Sequence, residues 1–238
     1  MKLLEKMKYE NSRMYAYRTI FHNIITLELK RGSYLSENEL SAELEISRTP
    51  IREALIELRG LELVETIPQK GNYVTKMDPE LIEEARFIRC SLENSILRLA
   101  CQTEVSPELM KRLQENLDQQ KNHLKDTDPH LIMTELDDQF HRLLFEAAGR
   151  LRTYEFIQAQ TAHFNRYRVL AFQMLEEENY ERTVADHEHI LAALQRKDTD
   201  LAERENIRHL THVQSEAETL RSLCPEYFKK QAAKTVVH

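Results

Sequence analysis

Ten histidines occur in the 238-residue chain, and one of them, His141, has the carboxylate of Asp137 at helical spacing before it. Asp137 and His141 are four residues apart in a segment with a helical pattern, so their side chains share one face. A carboxylate and a neutral imidazole on one face can bind a divalent ion together. A hydrogen bond within the helix explains the same spacing, and for this pair alone it is the preferred interpretation.

Two more histidines lie inside apolar helical patterns. His187 precedes Ile190 and other apolar residues at helical spacing, and His209 is flanked by apolar neighbours. Because an unpaired polar group that faces a core is costly, both imidazoles need partners, and one shared metal ion would satisfy them. His212, one turn from His209, is the alternative ligand, and Asp138 is the alternative carboxylate.

A second set of residues that could bind a ligand lies near the N-terminus. Two short helical patterns, 37–44 and 49–61, flank a tight turn, which is the layout of a helix-turn-helix. The second helix starts with hydroxyls and guanidiniums at the positive end of its dipole, where arginine can fork onto guanine and hydroxyls can meet phosphates. The candidate DNA contacts are Ser47, Arg48, Thr49, Pro50 and Arg52.

A predicted β-hairpin follows this helix-turn-helix. Residues 63–67 and 72–75 have the pattern of two short strands. Lys70 and Gly71, at the tip between them, could approach a neighbouring minor groove, since Gly71 has no side chain to block a sugar-phosphate backbone. The competing interpretation of the whole region is a small helical domain with a solvated, charged face, and spacing alone does not separate the two.

The elements that position these residues are predicted to be mainly helical. The chain has only 4 Gly and 6 Pro, too few turn residues for an all-β fold, and helix-forming residues dominate. We expect a domain of three helices and a two-stranded wing in 1–77, then an all-α bundle in 78–238. The predicted helices are 12–29, 37–44, 49–61, 79–102, 107–125, 129–148, 151–176, 179–196 and 199–222.

The composition narrows the class of protein. No run of about 18 apolar residues could span a membrane, and the charged start lacks the apolar stretch of a signal peptide. Three scattered cysteines favour a reducing cytoplasm over a disulfide framework. The net charge is −7, and residues 1–78 carry equal numbers of basic and acidic residues. A claim of DNA binding must therefore rest on local arrangement.

The N-terminal residues also resemble a known family. Over about 15–76 the chain is similar to the winged helix of GntR-type regulators, and the matching segments are 35–40, 47–55, 63–64 and Gly71. The resemblance implies that the matching serine, arginines, threonine and wing glycine contact operator DNA. The chain departs from the family pattern at Asn38, where an arginine that touches DNA is usual, and at Glu62, where a glycine is usual.

The C-terminal residues resemble the FCD effector domain of the FadR-type branch over about 80–222. The matching segments are 137–141, 187–194 and 208–210. The resemblance implies a bundle of six to seven helices that binds one divalent transition metal, with Zn preferred and Ni or Mn as alternatives. The ligands that it implies are Asp137, His141, His187 and His209.

Two arginines are candidates for binding a small organic-acid effector. Arg89 lies in a segment that resembles the first helix of the FCD domain, and it could pair with an effector carboxylate inside the cavity. A surface pair between Arg89 and Glu93 is the equally weighted alternative. Arg168 is a second, weaker candidate of the same kind.

Together the resemblances imply a cytoplasmic transcription regulator, expected to be a repressor and not an enzyme. It would bind palindromic operator DNA as a homodimer, with no membrane partner, and a carboxylate effector would complete the metal shell. One alternative is a hydrolase-like enzyme in which the same ion activates water, but no glutamate is clearly placed as a general base. The other is a regulator that senses the metal itself.

Overall fold

A computed structural model of the protein describes residues 1–127 and 129–230, and for 176–179 and 213–215 it describes the backbone only. Within these residues the chain forms nine α-helices, one short 3₁₀-helix and one three-stranded antiparallel sheet. The predicted mainly helical fold class is confirmed. No helix among the described residues is long and apolar enough to cross a membrane.

The first compact unit consists of Met1–Leu81 and the segment that starts at Cys224. Asn11 and Ser36 cap its first two helices by accepting hydrogen bonds from backbone N–H groups. Its elements are α1 (Ser12–Ile25), β1 (Tyr34–Leu35), α2 (Glu37–Glu43), α3 (Arg48–Gly60), β2 (Val64–Ile67) and β3 (Gly71–Val74).

The sheet corrects one detail of the predicted wing, because it has three strands and not two. The strand order is β1-β3-β2, and both pairings are antiparallel. β1 pairs Tyr34 with Tyr73 and Leu35 with Asn72. A two-residue strand is too short to show an alternating pattern in the sequence, so its role became visible only through its partner.

The apolar stripe of α3 fixes which residues of the helix-turn-helix face outward. Ile51, Ala54, Leu55 and Leu58 are all buried, at the spacing of one helix face. The opposite face of α3 is mostly polar, with Ile56 as its exposed apolar residue, and Arg52 lies on this face. Packing of α3 through its apolar side thus presents the start of the recognition helix to the solvent.

The end of α3 explains one departure from the family pattern. Glu62 has φ +56°, the left-handed conformation that glycine adopts most easily. Its backbone N–H donates to Arg59 O at 3.0 Å, and the next N–H, of Leu63, donates to Leu58 O at 3.1 Å. These two bonds form a Schellman cap, so the turn that usually uses glycine is present here with a strained glutamate.

The chain after the last long helix returns to the first unit. Met77 N–H donates to Tyr227 O, and Lys229 N–H donates to Met77 O, both at 2.8 Å, while Phe228 is buried. Sequence patterning placed this segment in the second domain, 78–238. Backbone pairing of single residues leaves no periodic signal, which is why the sequence did not indicate the return.

The second compact unit is Ile82–Leu223. Ser106 caps one of its helices with a hydrogen bond to a backbone N–H, and proline follows at the first helical position, as predicted. Its helices are α4 (Pro79–Gln102), α5 (Pro107–His123), α6 (His130–Ala147), α7 (Leu151–Ile157), α8 (Ala162–Gln195) and α9 (Thr199–Leu223).

The predicted break between helices 151–176 and 179–196 is wrong. The polar run at 176–179 contains no proline or glycine, so nothing in it stops the helix, and α8 passes through without a break. The real break lies at 158–161. There the Thr161 hydroxyl donates to Ile157 O at 3.0 Å, a local side-chain bond of the kind that competes with regular helix geometry.

Candidate functional site

Four predicted ligand residues converge inside the second unit. Asp137 and His141 lie on α6, His187 on α8 and His209 on α9, and one ligand atom from each lies within 4.8 Å of all the others. Asp137, His141 and His187 are fully buried, and His209 is nearly so. The structure therefore brings the whole predicted set together from three helices.

The donor atoms have the spacing of a metal coordination sphere. His141 Nε2 and His209 Nε2 are 3.3 Å apart, and His187 Nε2 is 3.6 Å from Asp137 Oδ1. Ligand atoms around a tetrahedral Zn²⁺ at its usual bond lengths are separated by roughly 3.3 Å. Asp137 Oδ1 and His187 Nε2 are buried without a hydrogen-bond partner among the described residues, and a cation between them would satisfy both.

Each imidazole also has a potential acceptor oxygen near its Nδ1, on the side away from the cluster, and for His187 this contact is a hydrogen bond. Such outer partners fix the tautomer and ring orientation of metal-ligating histidines. Because each Nδ1 faces one of these oxygens, Nε2 is the ring nitrogen that faces the centre of the cluster. The pairs are His141 Nδ1 with Glu93 Oε2 at 3.1 Å, His187 Nδ1 with Gln120 Oε1 at 2.8 Å, and His209 Nδ1 with Asp186 Oδ2 at 3.4 Å.

Sequence reasoning missed these three outer acceptors. Glu93 was considered only as a partner of Arg89, and it does bind Arg89, at 2.8 Å. Gln120 and Asp186 lie on α5 and α8 and carried no motif. Only the packing of four helices, α4, α5, α8 and α9, around α6 reveals their roles.

The electrostatics of the cluster favour neutral imidazoles beside an ionised carboxylate. Burial lowers the pKa of His141, and it lowers that of His187 well below the ordinary value. Burial alone would raise the pKa of Asp137, but opposing charge, foremost that of the Arg168 guanidinium, outweighs it and holds that pKa below its ordinary value. Neutral imidazole and ionised carboxylate are the ligand forms that a metal needs.

The two alternative ligands lie outside the cluster. Asp138 is on the partly exposed side of α6 and pairs with Arg168. His212 Nε2 is 3.0 Å from Asp186 Oδ2, on the outer side of the site. The geometry thus favours Asp137 over Asp138 and His209 over His212.

A second group of possible ligands is already occupied by a cation from the chain. Asp186, His189 and Glu205 come close together. The Arg208 guanidinium lies among them, with Nη2 at 2.7 Å from Asp186 Oδ1, 2.6 Å from Glu205 Oε2 and 2.9 Å from His189 Nδ1. This group is an arginine-centred ion network.

The two effector candidates have different surroundings. Arg168 lines a cavity of about 30 Å³ beside Asp137 and His209, where it pairs with Asp137 and Asp138. Arg182, which sequence reasoning missed, lines the same cavity. Arg89 is buried in its pair with Glu93 and is absent from the residues that line this cavity.

The candidate DNA contacts lie together on the outer face of the helix-turn-helix. Ser47, Arg48, Thr49 and Arg52 are exposed at the start of α3, and Pro50 is half-buried. Ser47 is at the N-cap position but makes no side-chain capping bond, so its hydroxyl is available for a phosphate. Lys70, at the wing tip, is exposed as well.

The wing glycine has a structural reason for being glycine. Gly71 has φ +105°, and an added Cβ would lie 2.6 Å from the Tyr34 ring. The predicted reason was close approach to a DNA backbone. The structure adds a reason inside the protein, because the Tyr34 ring needs the space that a side chain at 71 would fill.

The fold and the helix-turn-helix define a DNA-binding transcription regulator with a second, helical domain. The chain belongs to the gntR family of bacterial regulatory proteins, whose model matches residues 14–74, and it carries an FCD domain at residues 84–212. It is a transcription regulator and not an enzyme.

Similar proteins support this assignment. The chain is 34% identical over 217 residues to an HTH-type transcriptional regulator in an unstable DNA locus of Streptomyces ambofaciens, covering 91% of this chain and 89% of that protein. It is 30% identical to the HTH-type transcriptional repressor RspR of Escherichia coli K12, covering 90% and 92%. The solved structure of E. coli McbR/YncC, 20% identical, has the same fold with a TM-score of 0.74, covering 90% and 99%.

Proposed function

We propose that the protein is a metabolite-responsive repressor. It binds a palindromic operator as a homodimer, holds one divalent transition metal in its FCD domain, and uses that metal to bind a small carboxylate effector. The observation that carries the proposal is the buried set of one carboxylate and three Nε2 atoms, with a side-chain oxygen within 3.4 Å of each imidazole Nδ1. The similar protein RspR, named a repressor, supports the direction of control.

The DNA-binding half of the proposal rests on the exposed start of α3. Arg48 and Arg52 are exposed there beside the Ser47 and Thr49 hydroxyls, at the helix end whose dipole attracts phosphate. A two-fold dimer would place two such helices in major-groove half-sites about one turn of DNA apart. A palindromic operator is the expected target.

The metal half rests on the chemistry of the donor set. Asp137, His141, His187 and His209 would hold the ion, and three imidazoles favour the later first-row metals, with Zn preferred and Ni or Mn as alternatives. A bound ion would supply a Lewis-acid position for an effector carboxylate. Arg168 lines the adjoining cavity, where it can pair with the same carboxylate. The small size of this cavity means that an organic acid must move side chains to enter.

The test is a four-way measurement of operator affinity. An operator is first selected from random duplexes, and its Kd is then measured at one salt concentration with metal-loaded and chelator-stripped protein, each with and without a panel of small carboxylates. We expect one carboxylate to change Kd by about 5–150-fold, the usual range of allosteric coupling, in the metal-loaded form only.

The other outcomes identify the alternatives. A change in Kd on metal loading alone, with no carboxylate effect, would replace the metabolite sensor with a metal sensor. An equal carboxylate effect in both forms would show that the ion does not bind the effector. A Kd that none of the additions changes would contradict the proposal as a whole.

A further inference from the structure

The two arginines in the first turns of α3, Arg48 and Arg52, are each bonded to a side chain of α2. Arg52 donates from Nη2 to Glu37 Oε2 at 2.8 Å and from Nε to both carboxylate oxygens at 3.2 Å. Arg48 donates from Nη1 to Asn38 Oδ1 at 3.1 Å. The first helix of the helix-turn-helix therefore contacts both of these guanidiniums through its side chains.

The edge of Arg52 that Glu37 occupies determines which edge remains for DNA. A guanidinium has five N–H donors in a planar fork. Glu37 takes the side edge, formed by Nε and one Nη2 hydrogen, and leaves the end edge formed by Nη1 and Nη2. That end edge can still donate two parallel hydrogen bonds to O6 and N7 of a guanine.

Neither bond has an obvious role in stabilising the fold. Arg52 is 66% exposed and its Glu37 partner 26%, and the Arg48–Asn38 bond is also exposed. Exposed pairs of this kind contribute little to folding. Their consequence is geometric, because a long side chain that is already held loses less freedom when it binds.

Glu37 also has an electrostatic consequence for DNA binding. A carboxylate beside the recognition arginines repels phosphates and partly cancels the charge of Arg52, so it weakens binding to DNA of any sequence. A correctly placed guanine recovers that loss through the oriented fork. A residue that lowers non-specific affinity while it orients a base-reading group increases discrimination between sequences.

We propose that Glu37 and Asn38 are positioning residues for sequence reading, Glu37 through Arg52 and Asn38 through Arg48. The proposal rests on the proposed function, in that it takes Arg48 and Arg52 as the groups that read DNA. Asn38 stands where the family pattern has an arginine that touches DNA. In this chain the side chain at position 38 would act on DNA indirectly, through the guanidinium of Arg48.

The test compares Glu37→Gln, Asn38→Ala and wild type on one pool of duplexes with a randomised centre. Two quantities are measured at matched salt: base preference at each operator position, and the ratio of affinities for the selected operator and for an unrelated duplex. Glu39→Gln is the matched control, because it removes the same charge from the same turn of α2 and Glu39 makes no bond to either arginine among the described residues.

We expect Glu37→Gln and Glu39→Gln to bind the unrelated duplex slightly more tightly than wild type. Of these two variants, only Glu37→Gln should lower the affinity ratio, by about 5–10-fold, which is part of the effect of a lost bidentate contact. Asn38→Ala should weaken base preference at a different operator position, and Glu37→Asp should restore part of the ratio. Melting temperatures should match wild type in all variants.

Arg52→Ala and Arg48→Ala separate the possible failures. If neither changes base preference, the proposed DNA-reading residues are wrong. If they do change it but Glu37→Gln and Asn38→Ala keep wild-type preferences and ratios, the positioning roles are overturned and the proposed function stands. An equal drop in ratio for Glu37→Gln and Glu39→Gln would likewise overturn the positioning role, because charge alone would explain it.

Discussion

The two sites of this protein hold their polar side chains in opposite environments. At the start of α3, guanidiniums lie in solvent and are oriented by single partners on α2. In the FCD domain, one carboxylate and three imidazoles lie within the core, and every imidazole has an outer acceptor. An exposed polar group can remain without a protein partner at little cost, whereas a buried one cannot.

The two environments determine which substitutions each site can tolerate. Replacing an exposed arginine of α3 should change DNA binding and leave stability alone. Replacing a member of the buried cluster, or an outer acceptor, should change stability or metal affinity first.

The buried pair between Arg89 and Glu93 should matter most for folding. Both side chains are at most 5% exposed, so Glu93→Ala leaves a buried guanidinium without its partner, at a cost of about 3–5 kcal/mol in unfolding free energy. Glu83→Ala, which breaks the more exposed pair with Arg86 on the same helix, should cost at most about 1 kcal/mol. If urea unfolding shows equal losses of unfolding free energy in the two variants, burial of the ion pair does not determine its contribution to stability.

The exposed arginines should show the reverse behaviour. Arg48→Ala or Arg52→Ala should weaken binding to the selected operator by about 1–3 kcal/mol per lost bidentate contact. The unfolding free energy should stay within about 0.5 kcal/mol of wild type, as for most surface substitutions. Fluorescence anisotropy and denaturant unfolding of the same samples check both halves. Unchanged operator binding in both variants would contradict the DNA assignment.

The outer acceptor of His187 should affect metal binding without touching the metal. Gln120→Leu removes the acceptor of the His187 Nδ1–H, and we expect metal affinity to fall by about 10–100-fold. Gln119→Leu, one residue away on the exposed side of α5, is the control and should leave affinity unchanged. Competition with a chromophoric chelator measures both. Equal metal affinity in the two variants would show that Gln120 does not support the metal site.

The smallest effect concerns backbone strain at the end of α3. Glu62 occupies a left-handed cap position, so Glu62→Gly should relieve strain and raise the unfolding free energy by roughly 0.5–1 kcal/mol after the entropy cost of glycine. Lys197, with φ +55° at the end of α8, offers the same test in the other unit. A fall in thermal stability in both glycine variants would show that neither residue is strained.

The sequence predicted those elements and contacts whose residues repeat at a regular local spacing. Helical periodicity located α4, α5, α6 and α9, and the tight turn between two short helical patterns located α2 and α3. The i, i+4 spacing of Asp137 and His141 indicated a shared face. The full ligand set came from the family resemblance, since spacing alone could not link α6 to His187 on α8 and His209 on α9.

The parts that the sequence did not predict depend on contacts between distant segments. Gln120 meets His187 across 67 residues of chain, and Met77 pairs with Phe228 through backbone atoms alone. Neither contact depends on a regular spacing of apolar or polar residues, so the local sequence contains no signal that predicts it. The missed continuity of α8 has a different cause, because a polar run resembles a loop although it contains no residue that breaks a helix.

The central claim is that the buried cluster binds one divalent ion. X-ray diffraction from crystals of metal-loaded protein, at energies just above and below the absorption edge of the metal, tests it most directly. We predict one anomalous peak per chain, about 2.0–2.2 Å from an oxygen of Asp137 and from Nε2 of His141, His187 and His209 if the metal is Zn. If the protein takes up no metal, or if the anomalous peak lies elsewhere and these four side chains are unligated, the buried cluster is not a metal site.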